Sequence, residues 1–460
     1  MTSFTRTLAI LAGLLSAIPG TFPAPARAAD GDLDPTFSGD GIVSSTHGAG
    51  AQIAYTVAPL PDGSILVGGI IGEDEDSIDF YVIRYRANGG VEPDWGNFGG
   101  RRVAIDRAPN GEDTLLKIVI DSTGAAVLLG RSKLDFADDL PALARLTPEG
   151  DIDAAFGDGG IAGPTEFPWN GSIHIVAAAE HLDGFLFLGN CSGCGAGATS
   201  GQFLYRTLAS GLPDPAFGSG GWRVLDGPAP AGESAQALAV TAAGKIVVAD
   251  WYTPMFPGQQ LRVYRRLADG GADATWGSNG QAVRAIEDFS WAATSLALDP
   301  VDGSVIVGLR RSDDATGDPS GGLLRFSSTG VPDPTFGFPA ISVEQGSTFS
   351  EIAVAGDRTI YALGSIDGTG AQPSGFFLAR FLPTGALDPD FAENGVRKVE
   401  IDAVVNGYDA GYGLALCGGR PVGVGFAQTQ TPGGLRFAVV RLTNELIFRD
   451  GFDLGASNAW

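Results

Sequence analysis

Gly31-Asp32-Leu33-Asp34-Pro35-Thr36-Phe37-Ser38-Gly39-Asp40-Gly41-Ile42-Val43 is the stretch that recurs down the chain. Its aromatic returns as Trp95, Phe156, Phe217, Trp276, Phe336 and Phe391, at gaps of 58, 61, 61, 59, 60 and 55 residues. A period this regular is the mark of a repeat architecture, in which each unit buries its apolar face only against its neighbours. More than the aromatic repeats. Eleven residues before each later aromatic stands an arginine: Arg84, Arg145, Arg206, Arg265, Arg325 and Arg380. Six before it is a glycine and three before it a carboxylate, so the rule is Arg-x4-Gly-x2-(Asp/Glu)-x2-(Phe/Trp). The first copy has Gly31, Asp34 and Phe37 but no arginine, and the last has Arg441 but no matching glycine or carboxylate. The two ends are complementary halves of one unit, which is what a ring closed by its own N-terminal segment requires. Arg441 is therefore expected to pair with Asp34, and each other arginine with the carboxylate eight residues on, because a guanidinium fork matches a carboxylate.

Between the motif copies each unit reads as strands. In the first, Tyr55-Thr-Val-Ala-Pro-Leu60 leads to a Pro61-Asp62-Gly63 turn, then Ser64-Ile-Leu-Val-Gly-Gly69, an acidic loop from Gly72, and Phe80-Tyr-Val-Ile-Arg84-Tyr85. Runs of five or six apolar and β-branched residues bounded by Gly, Pro and Asp are strands, and no later segment sustains a 3.6-residue period. The class is all-β. Seven units of four antiparallel strands predict a seven-bladed β-propeller, with the N-terminal strand closing the last blade. At these motifs, over residues 31 to about 443, the chain resembles the bacterial delta-60 repeat family, whose signature is roughly Gly-x-Leu-Asp-x-x-Phe-Gly with a downstream Pro-Asp-Gly-Lys-Ile-Leu-Val. Glu92 in place of Asp, and Phe338-Pro339 in the sixth copy, depart from it. The resemblance implies a propeller-like fold in an exported bacterial protein and carries no catalytic residues.

The domain reading is a signal peptide over 1–28, a propeller over 29–443 and a C-terminal tail over 444–460. A basic start, an apolar run from Leu8 to Ile18 and Ala26-Arg27-Ala28 describe a secretory signal. The expected location is secreted or periplasmic, with the cell surface as a variant. No stretch is long and apolar enough for a membrane helix. The tail, Phe448-Arg-Asp-Gly-Phe-Asp, resembles the short endings of some exported proteobacterial proteins, and equally reads as a degenerate eighth copy, since Phe452 lies eleven residues after Arg441.

With 29 basic and 53 acidic residues the net charge is −24. That argues against nucleic acid as a partner, since nucleic acid needs a cationic face. Cys191 and Cys194 form Cys-Ser-Gly-Cys in a Gly-rich loop, read as a small disulfide, and Cys417 reads as a buried thiol. A zinc site is disfavoured by only three histidines, His47, His174 and His181.

The Pro-Asp-Gly turns and motif loops fall on one face and are uniform. The loops between second and third strands fall on the other and vary, and varied loops on a repeated scaffold are where binding residues sit. Several are acidic. Asp74 and Asp76, Asp138 and Asp139, and Asp313 and Asp314 are weak calcium candidates, because calcium takes clustered oxygen ligands. Trp169, Trp251 and Trp291 stand in or near loops of that face, placed either to stack on sugar rings or to pack blades. No nucleophile elbow, His-Glu-x-x-His or phosphate loop is present. The leading reading is a monomeric, non-catalytic binding or adhesion propeller for a polysaccharide, surface polymer or protein. The alternatives are a metal-dependent hydrolase or lyase working at the channel mouth, and a passive surface-structural repeat.

Overall fold

A computed structural model describes residues 29–444 except 49, 75–76, 108–110, 135–137, 170, 195–199, 226–233, 253–259, 286–288, 314–318, 337–346, 367–373, 402–406 and 431–433. The expected signal peptide and all of the tail but Asn444 lie outside these residues.

The chain is a seven-bladed propeller of antiparallel sheets. Blade 1 runs Gln52–Pro59, Ile65–Asp74, Ser77–Tyr85 and Gly100–Val103 from the axis outward. Five other blades also have four strands, and blade 5 shows three (Phe289–Leu298, Val305–Asp313 and Pro319–Phe326) among the described residues. Blade 7 is built from both ends of the chain. Asp409–Cys417, Arg420–Gln428 and Leu435–Arg441 are completed by Ile42–Ser45, with Ile42 opposite Val440 and Ser45 opposite Phe437. A closed ring leaves no long sheet edge to template aggregation. Among the described residues no helix is long and apolar enough to cross a membrane.

The core lies between blades rather than within them. Seven apolar clusters occupy the seven junctions, and each holds one motif aromatic. Phe37 packs among Val57, Ile83, Val424 and Val439, joining blades 7 and 1, and Trp95 does the same for blades 1 and 2. The repeated glycine is explained here. Gly31, Gly89 and Gly150 have φ of 81°, 83° and 88°. A Cβ on Gly89 would sit 3.2 Å from the Phe37 ring, one on Gly150 2.6 Å from Trp95, and one on Gly31 2.9 Å from Phe391. Each glycine is the floor on which the preceding aromatic rests, so it must lack a side chain and adopt a left-handed turn.

All seven innermost strands carry a register shift at the same level. It falls at Tyr55, Leu116, Val176, Gln236, Thr294, Ser350 and Tyr412. A bulge sharpens the local twist and turns one extra residue out of the ladder, and here a ring of seven surrounds the axis. The backbone just before the bulge is tied down by the preceding blade in several places. Asn190 Nδ2 donates to Ala235 O at 3.1 Å while its Oδ1 accepts from Ala235 N at 2.8 Å. Ser365 Oγ bonds both Gly411 N and Gly411 O. Arg131 donates to Ile175 O at 3.0 Å, and Asp139 accepts from Ile175 N at 2.6 Å.

Candidate functional site

The motif ring was the sharpest feature of the sequence, and its geometry is that of a corner brace. One oxygen of each aspartate caps its own turn and the other meets the arginine. Asp34 Oδ1 accepts from Thr36 N at 2.9 Å, and its Oδ2 receives Arg441 Nε at 2.8 Å. Asp273, Asp333 and Asp388 divide their oxygens in the same way: their Oδ1 atoms accept from Thr275, Thr335 and Asp390, and their Oδ2 atoms from Arg265, Arg325 and Arg380. Arg206 meets Asp214, and Arg145 lies 3.4 Å from Asp153 and 2.8 Å from Asp121. The guanidinium also lies over its aromatic, 4.4 Å from the Phe37 centroid for Arg441 and 4.6 Å from that of Phe336 for Arg325, a further cation–π attraction. Hydrogen bonds from the Thr335 hydroxyl and the Arg325 guanidinium outweigh burial and, with the turn cap from Thr335 N, hold Asp333 down to about 2.

Two units depart from the expectation: Arg145 closes no hydrogen bond to Asp153 and turns to Asp121 and Thr123, and the unit with Glu92 is rewired. Arg84 pairs with Asp62 of the Pro-Asp-Gly turn at 2.6 Å, and Glu92 is held by Arg86 at 2.8 Å. Glutamate carries one more methylene than aspartate, and Arg86, half-exposed two residues beyond Arg84, takes up the displaced carboxylate.

The opposite face carries the irregular chemistry. The axial cavity, about 160 Å³, is lined by the bulges, among them Tyr55, Leu116, Gln236 and Thr294, together with Lys117 and Glu351. Burial pushes the Glu351 carboxyl up, and Lys117 pulls it part of the way back. Between blades 7 and 1 an aromatic strip leads from the rim to this cavity. Tyr408, 48% exposed, lies 5.5 Å from Phe426; Phe426 lies 6.0 Å from Tyr412, and Tyr412 5.3 Å from Tyr55. Burial raises the Tyr412 hydroxyl to about 12, with Tyr55 and Tyr408 adding to it. Sequence reasoning missed this strip. Its two axial tyrosines sit on bulges, and a bulge interrupts the alternation by which a strand is recognised.

Of the tryptophans, Trp169 packs edge-on to Trp222 at 5.4 Å within the cluster between blades 2 and 3, so it serves packing. The side chains of Trp251 and Trp291 are outside the described residues.

Two of the calcium candidates fall on described side chains. Asp138 accepts from Ile173 N at 2.7 Å. Asp139 meets Ile175 N, Arg131 and His174, whose Nδ1 is 2.7 Å away. Both carboxylates are therefore occupied in tying blade 2 to blade 3. The side chains of Asp74, Asp76, Asp313 and Asp314 lie outside the described residues. Cys191 and Cys194 are joined as a disulfide with Cα atoms 5.9 Å apart. Cys417 is half-buried, its thiol pushed up to about 12 by burial.

Among the described residues one carboxylate group has metal-like spacing: Asp79, Asp106 and Asp113, with ligand atoms all within 4.8 Å of one another. Burial raises Asp113 to about 6, and the neighbouring Asp79 charge adds to this, while Ser132 and the backbone of Ile105 and Asp106 oppose it. An aspartate just ahead of an apolar strand was the visible sequence sign, and it is shared by Asp409. Ile105 N donates to Asp113 and Ile401 N to Asp409, each eight residues apart, so both aspartates first serve to hold the loop entering the blade.

A family model described as a domain of unknown function (DUF5122) beta-propeller matches residues 60–93 and 355–391. No curated protein sequence matches the chain. Among solved structures the chain is similar to a PL25 ulvan lyase, at 12% identity and TM-score 0.50, over 86% of this chain and 96% of that one. It is also similar to a Trypanosoma rangeli sialidase at 10% identity and TM-score 0.42, over 86% and 54%. A Penicillium chrysogenum α-L-arabinanase aligns at 13% identity and TM-score 0.41, over 68% and 88%. The likeness to the ulvan lyase agrees with the propeller fold and shows nothing about chemistry.

Proposed function

We propose that the chain is an exported, non-catalytic propeller that binds a polysaccharide on its variable face, with Tyr408 as the exposed stacking residue, backed by the buried Phe426, and Tyr412 and Tyr55 following toward the axis. The observation that carries this is the half-exposed Tyr408 at the head of an aromatic run that enters the axial cavity. Aromatic faces offer large, rigid apolar area with a polar edge, which suits the apolar faces and hydroxyl rims of sugar rings. The net charge of −24 favours a neutral or amino-sugar polymer over a polyanion. The described lining of the cavity has a single carboxylate, Glu351, and no histidine. His174, Asp139 and Arg131 form a compact acid–base group, but Asp139 and Arg131 are bonded to the backbone of the next blade.

A metal-dependent hydrolase or lyase is the second reading. The ulvan lyase whose fold this chain resembles favours it, and Asp79, Asp106 and Asp113 are the one group of described carboxylates with metal-like spacing, although two of them are buried. Residues 29–460 would be screened against neutral, amino-sugar and anionic polysaccharides by affinity electrophoresis and calorimetry, with product analysis on the same samples. The expected result is retention without chain shortening, weakened about tenfold or more by Tyr408→Ala, since one rigid aromatic anchor is worth roughly 1.4 kcal/mol or more. Shortening of a polymer would establish the second reading. Absence of retention across the panel would overturn polysaccharide binding.

A further inference from the structure

The junction of blades 1 and 2 gathers charge where the rest of the propeller gathers hydrocarbon. Asp79 lies near the start of the third strand of blade 1, Ser77–Tyr85, and Asp113 opens the inner strand of blade 2, Asp113–Ile120. A parallel bridge between Ile78 and Glu112 brings the two strand starts together. Asp106 is on the connection that crosses between them. Asp79 is 1% exposed and Asp113 0%.

Burying an ionised carboxylate is costly unless it is paired or coordinates a cation. Arg102 engages Asp79, and the Arg107 guanidinium acts on Asp113 from nearby while donating to the carbonyls of Ala162 and Pro164. Three carboxylates and two guanidiniums thus meet at this junction, and one of the guanidiniums, Arg107, is also engaged by backbone carbonyls.

A second observation is independent of the acids. Ser132, opposite Asp113 in register, is fully buried. Its hydroxyl lies against the Asp113 carboxylate. Yet neither Ser132 Oγ nor Asp113 Oδ1 closes a well-formed hydrogen bond. Two fully buried oxygens, one a hydroxyl and one a carboxylate, therefore lie side by side without a well-formed partner, and native interiors rarely tolerate that.

We propose that Asp79, Asp106 and Asp113, together with the Ser132 hydroxyl, hold a calcium ion that pins blade 1 to blade 2. The donor set is all oxygen, as a hard cation requires, and offers no imidazole or thiolate for zinc. Calcium binds oxygen at about 2.3–2.6 Å, so two of its ligands are at most about 5 Å apart, and the 4.8 Å limit on these three carboxylates meets that. Magnesium demands a tighter octahedron at about 2.0–2.1 Å. The site does not depend on the polysaccharide reading, and its three carboxylates are not among the six aspartates singled out in the sequence.

Metal-stripped full chain would be titrated with calcium chloride by calorimetry at neutral pH, and its melting temperature compared in calcium and in chelator. The expected outcome is one saturable site, with melting raised by about 3 °C at a hundredfold excess over Kd. Asp106→Asn would weaken calcium binding at least tenfold and leave the melting temperature in chelator unchanged, because Asp106 is exposed. Asp113→Asn would also abolish binding but lower the melting temperature in chelator, since it holds the loop backbone as well. Absence of binding heat together with equal melting in calcium and chelator would overturn the proposal. So would undiminished calcium affinity in Asp106→Asn, which would place the ion elsewhere.

Discussion

At the scale of the residue, the same arginine has different weight in different units. Arg441 and Asp34 are 5% and 1% exposed, and Arg441 also donates to Ala87 O of the next motif at 2.8 Å. Arg84 faces the half-exposed Asp62 instead. Removing one member of a buried pair strands the other charge and costs about 3–5 kcal/mol, whereas an exposed pair contributes roughly 0–1. Arg441→Ala should therefore lower the urea midpoint far more than Arg84→Ala. Equal midpoints would refute the brace as an energetic element. Much of this scale was legible from spacing alone, since a carboxylate and an arginine held at eight residues through six units announce a pair. What was not legible is the split of labour within Asp34, Asp273 and Asp333, one oxygen to the turn and one to the arginine. That split depends on side-chain length, and it is why the unit with Glu92 rewired itself through Arg86.

At the scale of the element, the strands read correctly as short apolar runs between turn residues, but the inner strand of each blade is not a plain ladder. Its bulge sits mid-run in sequences as different as Ala54-Tyr55-Thr56 and Ala235-Gln236-Ala237. No composition marks it, so the residues it turns toward the axis, Tyr55 and Tyr412 among them, went unnoticed. The ties that hold the bulges are equally silent, because Asn190, Ser365 and Arg131 do one task with three chemistries. Asn190→Ala would leave both the N–H and the C=O of Ala235 without their side-chain partner. An unmet buried polar group costs about 1–3 kcal/mol, so this substitution should destabilise well beyond a surface asparagine, as read by thermal melting, and raise amide exchange at Ala235. A neutral effect would mean that the bulge holds itself.

For the whole molecule, the ring is sealed by its first residues. Ile42–Ser45 completes blade 7, Gly31 underlies Phe391, and Asp34 receives Arg441 across 407 residues of chain. Moving residues 29–45 behind Thr443 through a short linker would make blade 7 continuous. This permutant should fold with an unchanged far-UV spectrum, while simple deletion of 29–45 should leave the Leu435–Arg441 edge open and cause association, since an unpaired strand edge templates pairing with another chain. Complementary half-motifs at the two ends made this architecture readable from sequence. The ligand was not readable, because the aromatics that would meet it, Tyr408 and Tyr412 of blade 7 and Tyr55 of blade 1, come from opposite ends of the chain. The distance across that seal also bears on how the protein is made. Blade 1 stays unmatched on the flank it turns to blade 7 until the final strands of the chain are in place. A chain broken off anywhere before Arg441 cannot finish its last blade and keeps Phe37 uncovered. A copy that ends early would expose this apolar junction and the strand edge beside it, surfaces that favour aggregation.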